Sequence, residues 1–199
     1  LMRSSAASDV YKRQVEKIYD GTELTAGQAS AEDQNGNALL IQYSEDGEAW
    51  TSDRSEIGAT QVSESKTVQV RVSAPGVYNG YVTGSQKITI TQRPMTITGA
   101  GWNSDQPYTG NTYSTTEYTT EEANEENTRG LVAGQEVSGL TYELTGTTVG
   151  DYTGSFSGEL VIKAGEEDVT DNYLVTKTVG SLKIVASEIA GYVTLTPQD

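Results

Sequence analysis

Cysteine and histidine are both absent from this chain of 199 residues. Without cysteine there is no disulfide, no thiol nucleophile and no cysteine-ligated zinc site. Without histidine, every catalytic triad that uses an imidazole base is excluded. The fold must therefore be stabilised by packing and hydrogen bonds, which suits an exported protein built from β-sheets.

Basic residues are scarce: 13 Lys and Arg stand against 28 Asp and Glu, so the net charge is −15. So acidic a surface repels nucleic acid and anionic lipid, because binding phosphate requires clustered basic side chains. Long apolar runs are also missing, and a membrane-spanning helix needs about 18 such residues or more. We therefore expect no nucleic-acid partner and no membrane insertion by this part of the protein.

The residues that are plentiful favour β-structure. Apolar residues make up 35% of the chain, with 21 Gly, 12 Tyr and a single Phe. This composition suits thin β-sandwiches better than the large core of an α/β enzyme. The fold class predicted is all-β, with two small Ig-like β-sandwich domains in tandem.

The stretch Gln86–Thr98, QKITITQRPMTIT, marks the boundary between the two domains. On both sides of Pro94, apolar residues alternate with polar ones, as in half-buried strands. Proline has no amide hydrogen and a fixed φ, so one paired strand cannot run through it. The pattern predicts the last strand of one repeat, a two-residue joint at Gln92–Arg93 and the first strand of the next repeat.

Turn signals and alternating segments divide the first repeat. Asp-Gly or Asn-Gly pairs stand at positions 20–21, 35–36 and 46–47. Between and after them the pattern predicts strands at Ala38–Ser44, Thr67–Val72 and Val82–Thr91, with Val68, Val70 and Val72 facing inward, and a return strand that begins at Ala49–Thr51.

The second repeat echoes the first. Tyr108-Thr109-Gly110 takes the place of Tyr19-Asp20-Gly21, and VGSLKI near position 180 repeats TGSQKI near position 84. Strands are predicted at Val137–Thr145 and around Phe156–Ile162, and a hairpin-like ending at Asp168–Ile184 with Gly180 in its turn. Self-similarity at a period of about 90 residues indicates a tandem array.

Four segments are therefore predicted. Residues 1–14 form a non-native N-terminal segment, since the string SSAASDVYKRQ resembles the translation of an adapter oligonucleotide used in sequencing libraries. The first repeat spans residues 15–93 and the second spans 94–186. Residues 187–199 are a linker or the start of a further repeat.

Three segments carry a resemblance to a known family: YDGTEL at Tyr19–Leu24, IQYSEDGEAWT at Ile41–Thr51 with Val70–Thr98, and LVAGQEVSGLTYELTGTTVGDY at Leu131–Tyr152 with DVTDNYLVTKTVGSLKI. The chain resembles the MBG and YDG repeats, Ig-like modules of bacterial surface proteins. The resemblance implies an extracellular or cell-surface location and no catalytic residues or cofactor. It favours structural spacer or stalk repeats of an adhesin-like protein, whose partners are flanking repeats of the same chain. The alternative is a module that binds glycan or protein through exposed aromatics or edge strands.

Four groups of residues are candidates for a site. The acidic insertion 119–129 brings four carboxylates together, and hard cations bind carboxylate oxygen; a solvated loop and a short helix capped by Thr119 are the other interpretations. Glu32–Asn37 lacks the ligand alternation of a calcium loop and is interpreted as a hairpin turn. Asp168, Asp171 and Asn172 favour a turn over a cation site. The fourth group is aromatic, and such residues either stack on sugars or fill a core. The four carboxylates of the first group are Glu121, Glu122, Glu125 and Glu126, and the aromatic group includes Trp50 and Trp102.

No catalytic, cofactor-binding or metal-binding residue is assigned from the sequence. Paired carboxylates occur throughout so acidic a chain, so they do not indicate a glycosidase. A small sandwich also leaves little room for the concave pocket that an active site needs. The protein is therefore predicted not to be an enzyme.

Overall fold

The computed structural model of the chain describes residues 14–33, 35–77 and 79–187. Over these ranges the chain forms strands and three short 3-10 turns, and it forms no α-helix. The predicted all-β class is confirmed. The segment predicted to be non-native, apart from Gln14, and most of the predicted C-terminal linker lie outside the described residues.

The chain forms two compact units. Unit 1 contains the chain up to Arg93 together with Glu125–Thr128 and Asp171–Leu174. Unit 2 contains Pro94–Asn124, Arg129–Thr170 and the chain from Val175 onward. Two short segments of later sequence thus belong to the first unit, which no local pattern indicates.

Unit 1 is built on a four-stranded sheet in the order β1-β6-β5-β3, with β2 and β4 paired separately. Strands β5 and β6 are antiparallel over seven residue pairs, whereas β1 joins the sheet parallel to β6. The six strands are β1 (Val15–Ile18), β2 (Leu24–Thr25), β3 (Leu40–Ser44), β4 (Gly58–Ala59), β5 (Lys66–Ser73) and β6 (Val82–Thr91).

Alternation places the core of unit 1 on one side of this sheet. Val68 and Val70 are fully buried, Val72 is nearly so, and Ile88 and Ile90 on β6 lie on the same side. Burying a side chain of this size contributes about 1.5–3 kcal/mol. The predicted inward face is confirmed, and it fixes the register because a slip of one residue would expose the whole set.

The strand predicted at Ala49–Thr51 is wrong. Thr51 makes one isolated bridge with Tyr43, and no ladder forms. The carboxylate of Asp46 accepts hydrogen bonds from the amides of Glu48 and Ala49, which curls the chain before it can extend. Side chains of Asp favour such local turns by competing for backbone amides.

Unit 2 contains three small sheets, ordered β10-β7-β15, β14-β13-β11-β9 and β12-β16-β8, apart from the first residue of β7 and the first two of β15, which belong to unit 1. Its longest pair is β11 with β13, which supplies two strands that the sequence predicts. The strands are β7 (Arg93–Gly99), β8 (Gln106–Pro107), β9 (Tyr113–Thr115), β10 (Tyr118–Thr120), β11 (Gln135–Gly146), β12 (Gly150–Thr153), β13 (Ser155–Ala164), β14 (Glu167–Asp168), β15 (Tyr173–Thr178) and β16 (Ser181–Val185).

Tyr142 organises the core of unit 2. Its side chain is buried with Leu144, Leu182 and Ile184, and the ring of Phe156 lies 4.8 Å away. The Tyr142 hydroxyl donates to the carbonyl of Ala100 at 2.8 Å and accepts from the amide of Gly180 at 2.9 Å. One side chain therefore joins β11 to two loops that are about 80 residues apart in sequence.

The hairpin predicted at Asp168–Ile184 is also wrong. Strand β15 lies beside β7, whereas β16 lies between β12 and β8 in a different sheet. Gly180 passes so close to the Ala100 carbonyl that a Cβ atom there would lie 2.2 Å from its oxygen. Gly180 thus allows a tight crossing between sheets where the pattern predicted a hairpin turn.

The joint between β6 and β7 is shorter than predicted, because only Gln92 separates the two strands. Arg93, predicted to lie in that joint, begins β7 and is fully buried. Its guanidinium donates to the carbonyls of Tyr19 and Asn127 and to the Asn127 side chain, at 3.3, 2.5 and 3.0 Å. A buried cation needs such acceptors. In unit 1 one acceptor residue, Tyr19, precedes Arg93 in the sequence, and the other, Asn127, follows it.

Candidate functional site

The segment Glu32–Asn37 forms the hairpin turn that its sequence predicts. Asp33 accepts hydrogen bonds from the amides of Asn35 and Asn37 at 2.8 and 2.9 Å and from the Asn37 side chain at 3.0 Å. Glu32 then pairs with Ala38 in an antiparallel bridge. The Asp33 carboxylate is occupied by its own turn.

The acidic insertion 119–129 is neither a free loop nor a helix at its start, because Thr119 and Thr120 belong to β10 and pair with β7. Glu121 is bound by the Arg129 guanidinium and accepts the amide of Thr96 at 3.0 Å. The hydrogen bond from Arg129 is the main cause that lowers the pKa of Glu121. Its carboxylate is therefore part of the fold.

The third group divides into a turn and a buried contact. Asp168 accepts the amide and the hydroxyl of Thr170, which confirms the turn interpretation there. Asn172 is buried in unit 1, where its side-chain oxygen accepts the amide of Val62 at 2.8 Å. Across the described ranges, no group of three or more acidic side chains is arranged to hold a metal ion.

The two tryptophans differ in their surroundings. Trp102 packs against the Tyr142 core, and its ring meets Tyr113 edge-on at 6.0 Å. Trp50 lies instead beside β5 of unit 1, where the Arg71 guanidinium carbon is 4.2 Å from the ring centroid. Only Trp50 therefore belongs to a candidate surface.

The turn before Trp50 fixes its position. The Asp46 carboxylate accepts the amides of Glu48 and Ala49, and these bonds, the Glu48 bond foremost, lower the pKa of Asp46. Gly47 has a φ of +81°, the left-handed conformation that glycine adopts without strain. The indole Nε1 of Trp50 then donates to the Gly47 carbonyl at 3.0 Å. The ring is thus held in place by its own turn.

Arg71 lies between two aromatic rings. Besides Trp50 at 4.2 Å, the ring centroid of Tyr81 is 5.7 Å from the guanidinium carbon, within the range of a cation–π contact. The Arg71 Nε donates to the side-chain oxygen of Gln42 at 2.9 Å. We call Gln42, Trp50, Arg71 and Tyr81 the Arg71 cluster.

The cluster stands on the outer face of the sheet, the side opposite the buried valines. Gln42 pairs with Arg71 in register, and Arg71 pairs with Thr83 on β6. Tyr81 precedes β6, and its side chain is 63% exposed. An exposed ring, a guanidinium and neutral polar side chains thus form one row across three strands.

A second feature of unit 1 is an open depression at the β3 edge. Its charged side chains already have partners: Arg54 donates to the Ala26 carbonyl at 2.9 Å, and Asp53 accepts the amide of Ser55 at 2.9 Å. The residues lining it are Gln28, Ala29, Ile41, Tyr43, Ser52, Asp53 and Arg54. Because the charged side chains of this depression are already hydrogen-bonded within the protein, the Arg71 cluster is the stronger candidate for a binding site.

Sequence reasoning identified Trp50 and missed Arg71 and Tyr81. The available signal was the TVQVRV pattern, which predicts that Arg71 points away from the core between two valines. Trp50 and Arg71 are 21 residues apart in the sequence and meet because β3 pairs with β5. A local pattern does not reveal this pairing.

The described part of the chain contains no helix long and apolar enough to cross a membrane. No protein-family model matches the chain, and no curated protein matches it at a significant level.

Proposed function

We propose that the two units are tandem Ig-like repeats that act as a load-bearing spacer in a surface or secreted adhesin-like protein of a bacterium. The resemblance to MBG and YDG repeats and the all-β fold support this proposal. On this proposal the protein works outside the cell and its partners are flanking repeats of the same chain. It assigns no catalytic role and no cofactor.

The observation that carries the proposal is the way each unit is closed. In unit 1, β1 pairs in parallel with β6, from Val15 opposite Ile88 to Ile18 opposite Thr91. In unit 2, β8 pairs in parallel with β16. An early strand is therefore bonded alongside the last strand of its unit in both cases.

The two closures match in detail at the repeated tyrosine. The amide of Tyr19 donates to the Thr91 carbonyl at 2.9 Å, and the amide of Tyr108 donates to the Val185 carbonyl at 2.8 Å. Both tyrosines directly follow the parallel strand, and each is followed two residues later by a glycine with φ near +78°. The repeat seen in sequence is thus a repeat of the closing element.

This arrangement suits a chain under tension. Pulling on the two ends of unit 1 moves β1 and β6 in opposite directions along their length. The evenly spaced hydrogen bonds of a parallel pair then share the load and break together. A spacer that holds a distal domain away from a cell surface experiences this direction of force.

Single-molecule force spectroscopy tests the proposal. The full chain is tethered by its ends, so that the parallel β1–β6 pair of unit 1 is loaded in shear. The comparison chain is tethered through Ala38→Cys and Val77→Cys, exposed positions beyond the Leu40–Ser73 end of the β3–β5 pair. Because the chain has no cysteine of its own, these thiols are unique.

Force on Ala38 and Val77 peels β3 away one hydrogen bond at a time, whereas force on the ends loads several at once. We expect the unfolding force with end tethers to be higher by about twofold or more, since forced unfolding follows the barrier in the pulled direction. Equal forces in the two directions would refute the load-bearing role.

A further inference from the structure

We propose that the Arg71 cluster binds an acidic carbohydrate, with a uronic acid carboxylate on the guanidinium and the sugar ring on Tyr81. This site is additional to the spacer role and does not depend on it.

Arg71 has donors to offer. A guanidinium carries five N–H groups in a planar fork. Within the described ranges, Gln42 is the hydrogen-bond acceptor of Arg71, and it takes the Nε proton at 2.9 Å. The Nη edge therefore stays available, and this edge matches the two oxygens of a carboxylate.

The guanidinium is also held in place before any ligand arrives. Gln42 fixes one edge, and the Trp50 ring covers a face at 4.2 Å. Trp50 in turn is anchored by its bond to the Gly47 carbonyl. A side chain ordered in this way loses less conformational entropy on binding than a free arginine does.

Charge favours an anion on this face although the whole chain is acidic. The outward positions of β1, β3, β5 and β6 carry two cations, Arg71 and Lys87, and one carboxylate, Glu16. The net charge of the complete chain is −15. The strands of this face are therefore a local exception to the acidity of the chain. The turn that carries Trp50 adds the carboxylates of Asp46 and Glu48, and that of Asp46 is already bound by the amides of Glu48 and Ala49.

The neighbouring groups favour a sugar over a plain anion. Tyr81 is 63% exposed and presents an aromatic surface on which the apolar side of a pyranose ring can pack. Ser73 follows Arg71 by one outward position, at the end of β5. Hydroxyl groups of this kind pair with sugar hydroxyls.

Calorimetry with trigalacturonic acid tests the proposal, and its methyl ester is the matched ligand without carboxylate charge. We expect the acid to bind the full chain with a Kd of about 1 mM or tighter. The ester should bind at least about tenfold more weakly. In a Trp102→Phe background, Trp50 emission should change along the same curve.

Three variants locate the site. Arg71→Gln and Tyr81→Ala should each weaken binding at least about fivefold. Lys163→Gln, which removes an exposed cation from unit 2, should leave binding unchanged. Unchanged thermal unfolding in Tyr81→Ala, whose ring is exposed, separates loss of binding from loss of fold.

Several results would overturn the proposal. One is the lack of saturable binding of the acid up to about 10 mM; another is equal binding of acid and ester. If Lys163→Gln weakens binding as much as Arg71→Gln does, the ligand is held by general charge attraction and not at the Arg71 cluster. Triglutamate binding as tightly as trigalacturonate would show a site for acidic peptide and refute the carbohydrate assignment.

Discussion

Replacing Tyr142 by Phe removes one oxygen atom from the core of unit 2 and leaves the packing of the ring unchanged. That oxygen bonds the Ala100 carbonyl and the Gly180 amide at 2.8 and 2.9 Å. The ring lies against Gly99 and Gly154, where an added Cβ would come within 2.2 and 1.9 Å of Tyr142 atoms. These two glycines carry no side chain that could replace the hydroxyl.

The magnitude follows from these two bonds. A buried hydrogen-bonding group left without its partner costs about 1–3 kcal/mol. Ala100 and Gly180 are half-buried, so water can partly replace the hydroxyl. We therefore expect the free energy of unfolding of unit 2 to fall by about 2 kcal/mol.

Urea unfolding in a Trp50→Phe background measures this change, because Trp102 then remains the one tryptophan and it packs on the Tyr142 core. With a typical m-value, the midpoint should fall by about 1 M. Tyr113→Phe is the matched control: its hydroxyl also bonds a carbonyl, that of Pro107 at 2.8 Å, but the bond is exposed.

The control should change stability by no more than about 0.5 kcal/mol. If Tyr142→Phe moves the Trp102 transition no further than Tyr113→Phe does, the hydroxyl does not stabilise the crossing loops. An unfolding slope that changes together with the midpoint would point to a loss of cooperativity and would also count against the reasoning.

Further predictions concern other parts of the fold. Arg93→Met should destabilise unit 1 by about 3 kcal/mol in urea unfolding followed by Trp50, because the acceptors on Tyr19 and Asn127 lose a charged donor; an unshifted Trp50 transition contradicts this. Gly154→Ala should cost unit 2 about 2 kcal/mol or more in thermal unfolding, since its Cβ would lie 1.9 Å from the Tyr142 hydroxyl; a neutral effect contradicts this. The pKa of Asp46 lies below its ordinary 3.8, so the stability that this turn contributes is present above that pH and is lost as the pH falls through the lowered value. Trp50 emission in a Trp102→Phe background should stay constant from pH 7 to about 4 and change below, whereas Asp46→Ala should show the change already at pH 7.

Patterns that act over a few residues predicted much of the fold. The alternation in TVQVRV predicted the buried face of β5, and similar alternation predicted β6 and most of β11. These strands were predictable because one face of each is buried, and a period of two then shows in the residues.

Features set by distant pairing were not predictable in this way. Arg93 sits beside a proline in a stretch that reads as a joint, yet acceptors 74 residues before and 34 residues after it make it a buried residue. Strands β15 and β16 are adjacent in sequence but lie in different sheets, because β15 pairs with β7 and β16 pairs with β12.

The candidate site shows the same division. The outward direction of Arg71 follows from two flanking valines, and the turn that presents Trp50 follows from Asp46-Gly47. Their meeting depends on the register that pairs Gln42 with Arg71, which is a property of the folded sheet. Sequence thus supplied the components of the Arg71 cluster without their arrangement.

Unit 1 includes segments from late in the chain, and this determines when it can fold during synthesis. Because Asp171–Leu174 belong to this unit, its last contributing residue follows Arg93 by 81 positions. At about 5–20 residues per second, the ribosome needs roughly 4–16 s to make that stretch. Until the end of this time the first unit lacks Asn172 and Tyr173, so the N-terminal half cannot reach its final form before most of unit 2 has been made. In the exported spacer that we propose, the first unit would thus still be incompletely folded while most of the chain is being made.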